Sequence, residues 1–249
     1  MARDRVLFDH IALGVASIES VTPFLVGELG GEPLAGGPGG GFRAYQWRFE
    51  GGGVIEVLEP MGPPGGFMHR FLELRGPGIH HVTFKVPSLD AACDRARRAG
   101  YDIVGYDASD PGWKEAFLHP KQAQGIVVQL AESDPRTGGE WSPDSPPPSP
   151  PRASSPATVV GLRLRAESRE LARRQWSAVA GGTEEREEGV EPGGQLVLYR
   201  WSGSFLRIAV EVDASRPPGP IAVELAAVDA GVAPREAHPV LGARFLVLP

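Results

Sequence analysis

A chain of 249 residues, 41% of them hydrophobic, is long and apolar enough to bury one large core or two ordinary ones, which excludes a disordered polypeptide. Its formal charge of −6 argues against nucleic acid or an anionic membrane surface as a partner, because neither attracts a net acidic protein. The single cysteine, Cys93, excludes an internal disulfide and fits a reducing compartment; with no apolar run of the roughly 18 residues a membrane span needs, and no signal-peptide core in MARDRVLFDH, a cytoplasmic location is expected.

In chain order, Ile11, Leu13 and Val15 recur at every second position, which predicts a strand with these residues on one face and His10 on the other. A helix that Gly30 can end follows. GGPGGG at 36–41 lacks the lysine and hydroxyl of a phosphate loop and reads as a flexible loop, a lid if it stands at the mouth of a site. GGVIEVLEP predicts a strand with Glu56 between Ile55 and Val57, and GGFMHRFLELRG a connecting helix. The plan then repeats. In HHVTFKV, Val82, Phe84 and Val86 share a face and His81 lies opposite; a helix runs from about Leu89 to Gly100, and QGIVVQLAE closes the half with Gln129 between Val128 and Leu130. Each half thus reads β-α-β-β-β. If a pseudo-twofold relates the halves, His10, Glu56, His81 and Gln129 converge.

Residues 133–156 are proline-rich and nearly free of apolar side chains, a semi-rigid linker between domains at 1–132 and 157–249. VVGLRLRAESRELARRQWSAVAGG, GQLVLYRWSGSFLRIAVEVD and GPIAVELAAVD repeat the strand, helix and strand order in degenerate form, too short at the end for a full fourth module. EEREE at 184–188 reads as a solvated loop or helix end.

Through DHIALGV, VIEVLEP, FLELRGPGIHHVTFKV and FLHPKQAQGIVVQLAE, residues 7–132 resemble the vicinal oxygen chelate superfamily of glyoxalases, bleomycin-resistance proteins and dioxygenases, most closely its methylmalonyl-CoA epimerase-like and glyoxalase-like members. The resemblance implies an α+β fold in which paired βαβββ modules form a cup-shaped mixed sheet, followed here by a second, degenerate domain of the same kind. It implies further that His10, Glu56, His81 and Gln129 ligate one divalent ion, for which two imidazoles, a carboxylate and an amide oxygen suit Zn, Ni, Co, Mn or Fe. The equivalent registers of the second domain, aligned on its apolar faces, hold Val159 and Pro220, so that domain is expected to bind no metal and to serve as a structural partner. This makes the protein a monomer with an intrachain pseudo-dimer, or a homodimer. His80 faces away from His81, and His69, His119 and His238 read as loop or surface residues.

The chain departs from those relatives at the fourth position, where they usually carry a glutamate that doubles as the base. Gln129 cannot take up a proton at neutral pH, so Glu56 becomes the candidate catalytic base. One carboxylate leaves a divalent ion with a net charge of about +1, a stronger Lewis acid than a site with two. The leading expectation is a metal-dependent isomerase or lyase that abstracts a proton next to the carbonyl of a small-molecule carbonyl or thioester substrate, with Lys121 a candidate contact for an anionic group. A non-haem iron dioxygenase and a non-catalytic binding or resistance protein remain as alternatives. Trp113 fits either the rim of the site or the core.

Overall fold

The computed structural model of the chain describes residues 5–133, 145–186, 195–226 and 237–248. Among the described residues the strands form two sheets. The first takes β1 (Leu7–Gly14), β2 (Glu32–Pro38), β3 (Phe42–Arg48), β4 (Val54–Pro60), β5 (Gly78–Lys85), β6 (Ile103–Asp110), β7 (Trp113–Leu118) and β8 (Val127–Ser133) in the order β2-β3-β4-β1-β5-β8-β7-β6. The second takes β9 (Thr158–Ala166), β10 (Thr183–Arg186), β11 (Gln195–Arg200), β12 (Arg207–Val212), β13 (Gly219–Ala226) and β14 (Phe245–Val247) in the order β10-β11-β12-β9-β13-β14. Helices α1 (Phe67–Arg75), α2 (Leu89–Arg98) and α3 (Arg169–Arg173) join them, and none of these is long and apolar enough to cross a membrane.

The expected repeat is present. In each half of the first sheet the opening strand runs parallel to the closing one, β1 to β4 and β5 to β8, and the intervening strands pair antiparallel. The second sheet holds one further module, β9 through β12 with β9 parallel to β12, and then the parallel pair β13 and β14. The α+β architecture of paired βαβββ modules is therefore that of the protein.

The helix expected after β1 is present and ends at Gly30, though not as a regular α-helix, and two other local expectations fail for identifiable reasons. The helix after β1 is a 3₁₀ turn at Glu19–Val21 followed by a π-helical segment, Pro23–Glu28, in which Leu29 N–H bonds the Phe24 carbonyl five residues back. Pro23 brings no N–H to an α-helical ladder, and its ring crowds the carbonyl four residues before it. In GGPGGG, Gly36, Gly37 and Pro38 belong to β2, opposite Tyr45, Ala44 and Arg43, and the turn is confined to Gly39–Gly41. A Cβ at Gly36 would stand 2.2 Å from Tyr45 Cδ2, so close cross-strand packing requires that glycine. In EEREE, Glu184 to Arg186 lie in the edge strand β10, where Glu184 pairs with Arg169 and Glu185 with Arg200; 187 and 188 fall outside the described residues. The cross-strand pair Glu185–Arg200 supports a strand there, and Glu184 is held by Arg169 of α3.

The chain packs as two compact units, each drawn from both sides of the proline-rich stretch. One comprises residues 1–9, 81–140 and 161–221; the other comprises 10–80, 141–160 and 222–249. In the first, Phe84 on β5 contacts Phe8 at 4.9 Å, Trp201 at 4.8 Å and Trp176 at 6.1 Å between ring centroids. In the second, Phe24 meets Phe245 at 4.8 Å and His238 at 4.3 Å. The described part of the linker runs along this second unit: Thr22 Oγ1 donates to the Pro148 carbonyl at 2.9 Å, and Ala153 and Ala157 N–H bond the Val26 and Leu29 carbonyls.

Candidate metal centre

Ala12 on β1 stands opposite Glu56 on β4, and His10, two residues before Ala12, shares its face by strand alternation. His10 Nε2 lies 3.5 Å from Glu56 Oε2, and both side chains are buried. Gln46, directly opposite Glu56 on β3, donates from Nε2 to Glu56 Oε1 at 3.0 Å, which fixes the carboxylate plane. One step along the same face Leu58 sits opposite Ala44, and these pack with Ala12 and with Met68 of α1, flanked by Phe42 and Phe71. This apolar cluster walls the face beside Glu56.

On the second module Thr83 of β5 stands opposite Gln129 of β8, and His81 precedes Thr83 by two residues on the same face. All three are buried, Thr83 fully. Thr83 Oγ1 donates to Gln129 Oε1 at 2.6 Å, and Gln129 Nε2 donates to Glu115 Oε2 on β7 at 2.7 Å. Trp113 Nε1 donates to the same Glu115 oxygen at 2.9 Å, and Lys85 Nζ lies 6.0 Å from the Trp113 ring. The buried residues His10, Glu56 and His81 each offer one ligand atom, and these atoms lie within 4.8 Å of one another.

The other histidines divide differently from expectation. His69 is part of α1 and half-buried. His238 lies in a loop but is buried, its Nδ1 accepting from Val240 and Leu241 N–H, so it is a structural residue and not a surface one. His119 and Lys121 are exposed in the turn between β7 and β8. His80 packs edge-on to Phe71, centroids 4.7 Å apart, with Phe67 at 5.8 Å. Burial pushes its imidazole down to about 4, the nearby Glu56 charge opposing this and Arg75 adding to it, so the ring is neutral at pH 7. Sequence reasoning missed Gln46, Thr83 and Glu115. Alternation alone places each on the right face, yet which partner it meets depends on the strand register.

Residues 9–117 match the family described as Glyoxalase/Bleomycin resistance/Dioxygenase superfamily. That match spans somewhat less than half of the chain, so it is a similarity of this segment to the superfamily. Over 85 residues it is 38% identical to the ethylmalonyl-CoA/methylmalonyl-CoA epimerase of Cereibacter sphaeroides, a match covering 31% of this chain and 60% of that protein. Human mitochondrial methylmalonyl-CoA epimerase is 25% identical over 135 residues, covering 50% of this chain and 73% of its own length. Among solved structures, a mutant 4-hydroxymandelate synthase from Streptomyces coelicolor superposes on 90% of this chain and 71% of its own with a TM-score of 0.60 at 16% identity. That likeness concerns the fold, and it extends through the C-terminal half.

A buried carboxylate flanked by two imidazoles is a donor set suited to a borderline divalent ion. Glu56 is held by Gln46 at 3.0 Å and lies 3.5 Å from His10 Nε2, so the carboxylate and the imidazole are already directed toward each other. In the C-terminal half, Val159 on β9 and Pro220 on β13 carry no ligating atom.

Proposed function

We propose that His10, Glu56, His81 and Gln129 hold one divalent metal ion, and that the protein is an isomerase or lyase that moves a proton next to the carbonyl of a CoA thioester. The observation that carries this is the buried grouping of His10, Glu56 and His81 within 4.8 Å. The thioester comes from the names of the epimerase relatives, which match part of this chain. All four ligands precede the proline-rich stretch, so a metal domain at 1–132 and a metal-free one at 157–249 belong to the same proposal.

Bound there, the ion supplies a Lewis acid for the substrate carbonyl oxygen. Glu56 is the proton acceptor, being the carboxylate of the four. Glu56 would then serve both to hold the ion and to accept the proton, and Gln46 Nε2 orients its Oε1 at 3.0 Å. The apolar cluster of Ala12, Ala44, Leu58 and Met68 excludes water beside it, and neutral His80 adds no competing positive charge. Two histidines and one carboxylate also compose the facial triad of iron oxygenases, so the same grouping supports a dioxygenase as the second reading.

The test is metal analysis of the full chain followed by exchange of the α-proton of methylmalonyl-CoA with deuterated water, read by NMR. One metal per chain is expected, with at least about tenfold weaker binding in His10→Ala and His81→Ala. Glu56→Gln should slow exchange about 100- to 10,000-fold, the usual weight of a general base. Exchange at the wild-type rate in Glu56→Gln would make Glu56 a ligand only. Oxygen consumption by the Fe(II)-loaded protein, without proton exchange, would replace the isomerase with the dioxygenase.

A further inference from the structure

The two modules carry the same pair of side chains in opposite order. In the first, the carboxylate of Glu56 lies inward on the closing strand and the amide of Gln46 holds it from the neighbouring strand. In the second, the amide of Gln129 lies on the closing strand and the carboxylate of Glu115 holds it, diagonally across β7 and β8. The difference matters because an amide has two unlike ends. Its oxygen can ligate a cation, whereas its NH₂ group cannot, and a free Gln side chain presents either by a half-turn about its last torsion.

Around Gln129 the choice is made by chemistry. Glu115 as a carboxylate only accepts, so the group that faces it must be the NH₂, at 2.7 Å. Glu115 is itself tied down by the indole N–H of Trp113, on the same oxygen at 2.9 Å. The opposite end of the amide is then the oxygen, which accepts from the fully buried Thr83 at 2.6 Å and keeps a second lone pair. Thr83 alone does not decide the orientation, since a hydroxyl can donate to the oxygen or accept from the NH₂.

We propose that Glu115 is a positioning residue that fixes the Gln129 amide with its oxygen toward the metal centre. This rests on the reading of Gln129 as a ligand. Partners of this kind that orient a ligand affect metal affinity by about 10- to 100-fold when removed.

Co²⁺ titration of the metal-stripped full chain, followed by calorimetry and by the visible absorption of the bound ion, tests it on four variants. Gln129→Ala should bind at least about tenfold more weakly, because a ligand is lost. Glu115→Ala should weaken binding by about tenfold and change the Co²⁺ spectrum, with the melting temperature of the metal-free protein near wild type. Glu115→Gln should bind close to wild type, since its amide oxygen still accepts from Gln129 and Trp113. Trp113→Phe, which frees Glu115 without removing it, should shift affinity in the same direction by less. It keeps the test open if Glu115→Ala does not fold. Equal losses in Glu115→Gln and Glu115→Ala would overturn the proposal, because the carboxylate would then act through its charge. So would wild-type binding by Glu115→Ala alongside weak binding by Gln129→Ala. Wild-type binding by Gln129→Ala would instead overturn the ligand reading on which the proposal rests.

Discussion

At Gly14 a Cβ would stand 2.7 Å from Phe71 Cε1 and 2.8 Å from Met68 Cε, so the absent side chain is what lets α1 lie against the face that carries His10 and Ala12. Gly14→Ala should force both side chains out of place and cost about 1–3 kcal/mol, the range for overpacked sites, measured by urea denaturation. An unchanged midpoint would show that Met68 and Phe71 swing aside freely. His10, Glu56 and His81 were legible because each interrupts an apolar alternation, and a polar residue flanked by core residues on a strand has only the opposite face to occupy. Gln46 and Glu115 obey the same alternation yet stayed hidden. That Gln46 meets Glu56 depends on where the turn between β3 and β4 sets the register, and the diagonal reach of Glu115 to Gln129 depends likewise on the turn between β7 and β8. His238 lies in a loop, as expected, but its burial was not legible, because a loop position says nothing of burial when an aromatic such as Phe24 lies against it.

Each of the first two modules ends its closing strand with a glutamate three residues beyond the site residue, facing the opposite side. Glu59 Oε2 accepts from Ile18 N–H at 2.6 Å, and Glu132 Oε2 accepts from Leu89 N–H at 2.8 Å, so each carboxylate serves a free N–H at the start of its own module's helical segment. The pairs Glu56 with Glu59 and Gln129 with Glu132 repeat in the sequence, a signal of the duplicated plan that periodicity of apolar residues does not contain. The β-α-β-β-β succession of elements in each half was readable from that periodicity. The π-helical segment after β1 was not, because the pattern marks which face is buried and not how many residues each turn holds. Burial works to raise the Glu132 carboxyl, but Lys114 at 2.8 Å and the Leu89 N–H outweigh it and hold the group below its ordinary 4.5. A folded value below the unfolded one gives stability that is complete above pH 4.5 and is lost as pH falls through the lowered value. Glu132→Gln should therefore cost about 1 kcal/mol near neutral pH, and the cost should shrink as pH falls below 4.5, followed by thermal melts from neutral to acid pH. A cost independent of pH would assign the effect to packing.

The compact units do not follow the division that the proline-rich stretch suggests to the eye. Phe8 and Phe84 come before it and are covered by Trp176 and Trp201, which come after it, all within one unit. In the other unit Phe24 is covered by Phe245, and the stretch itself is tied to the helical segment by Thr22, Val26 and Leu29. Among the described residues 145–156 there is neither helix nor strand, as the proline-rich composition implies, yet the segment is not a free spacer: the Pro148 carbonyl accepts from Thr22 and Ala153 N–H donates to the Val26 carbonyl. The energetic consequence concerns the fragment 1–132. It holds every proposed ligand, but it would expose Phe8, Phe24 and Phe84, each of which is at most 3% accessible in the full chain. Truncating one buried Phe or Trp costs about 3–5 kcal/mol, so uncovering several such rings is large against total stabilities of only about 5–15 kcal/mol. The fragment alone should therefore aggregate or melt without a cooperative transition, whereas coexpression with 133–249 should return a soluble, metal-binding complex of the two pieces on size-exclusion chromatography. Trp176→Ala in the full chain should move the same way by about 3–5 kcal/mol. A monomeric 1–132 that melts cooperatively and binds metal as tightly as the full chain would show that the first two modules fold by themselves, and that the C-terminal strands only cover a face already stable.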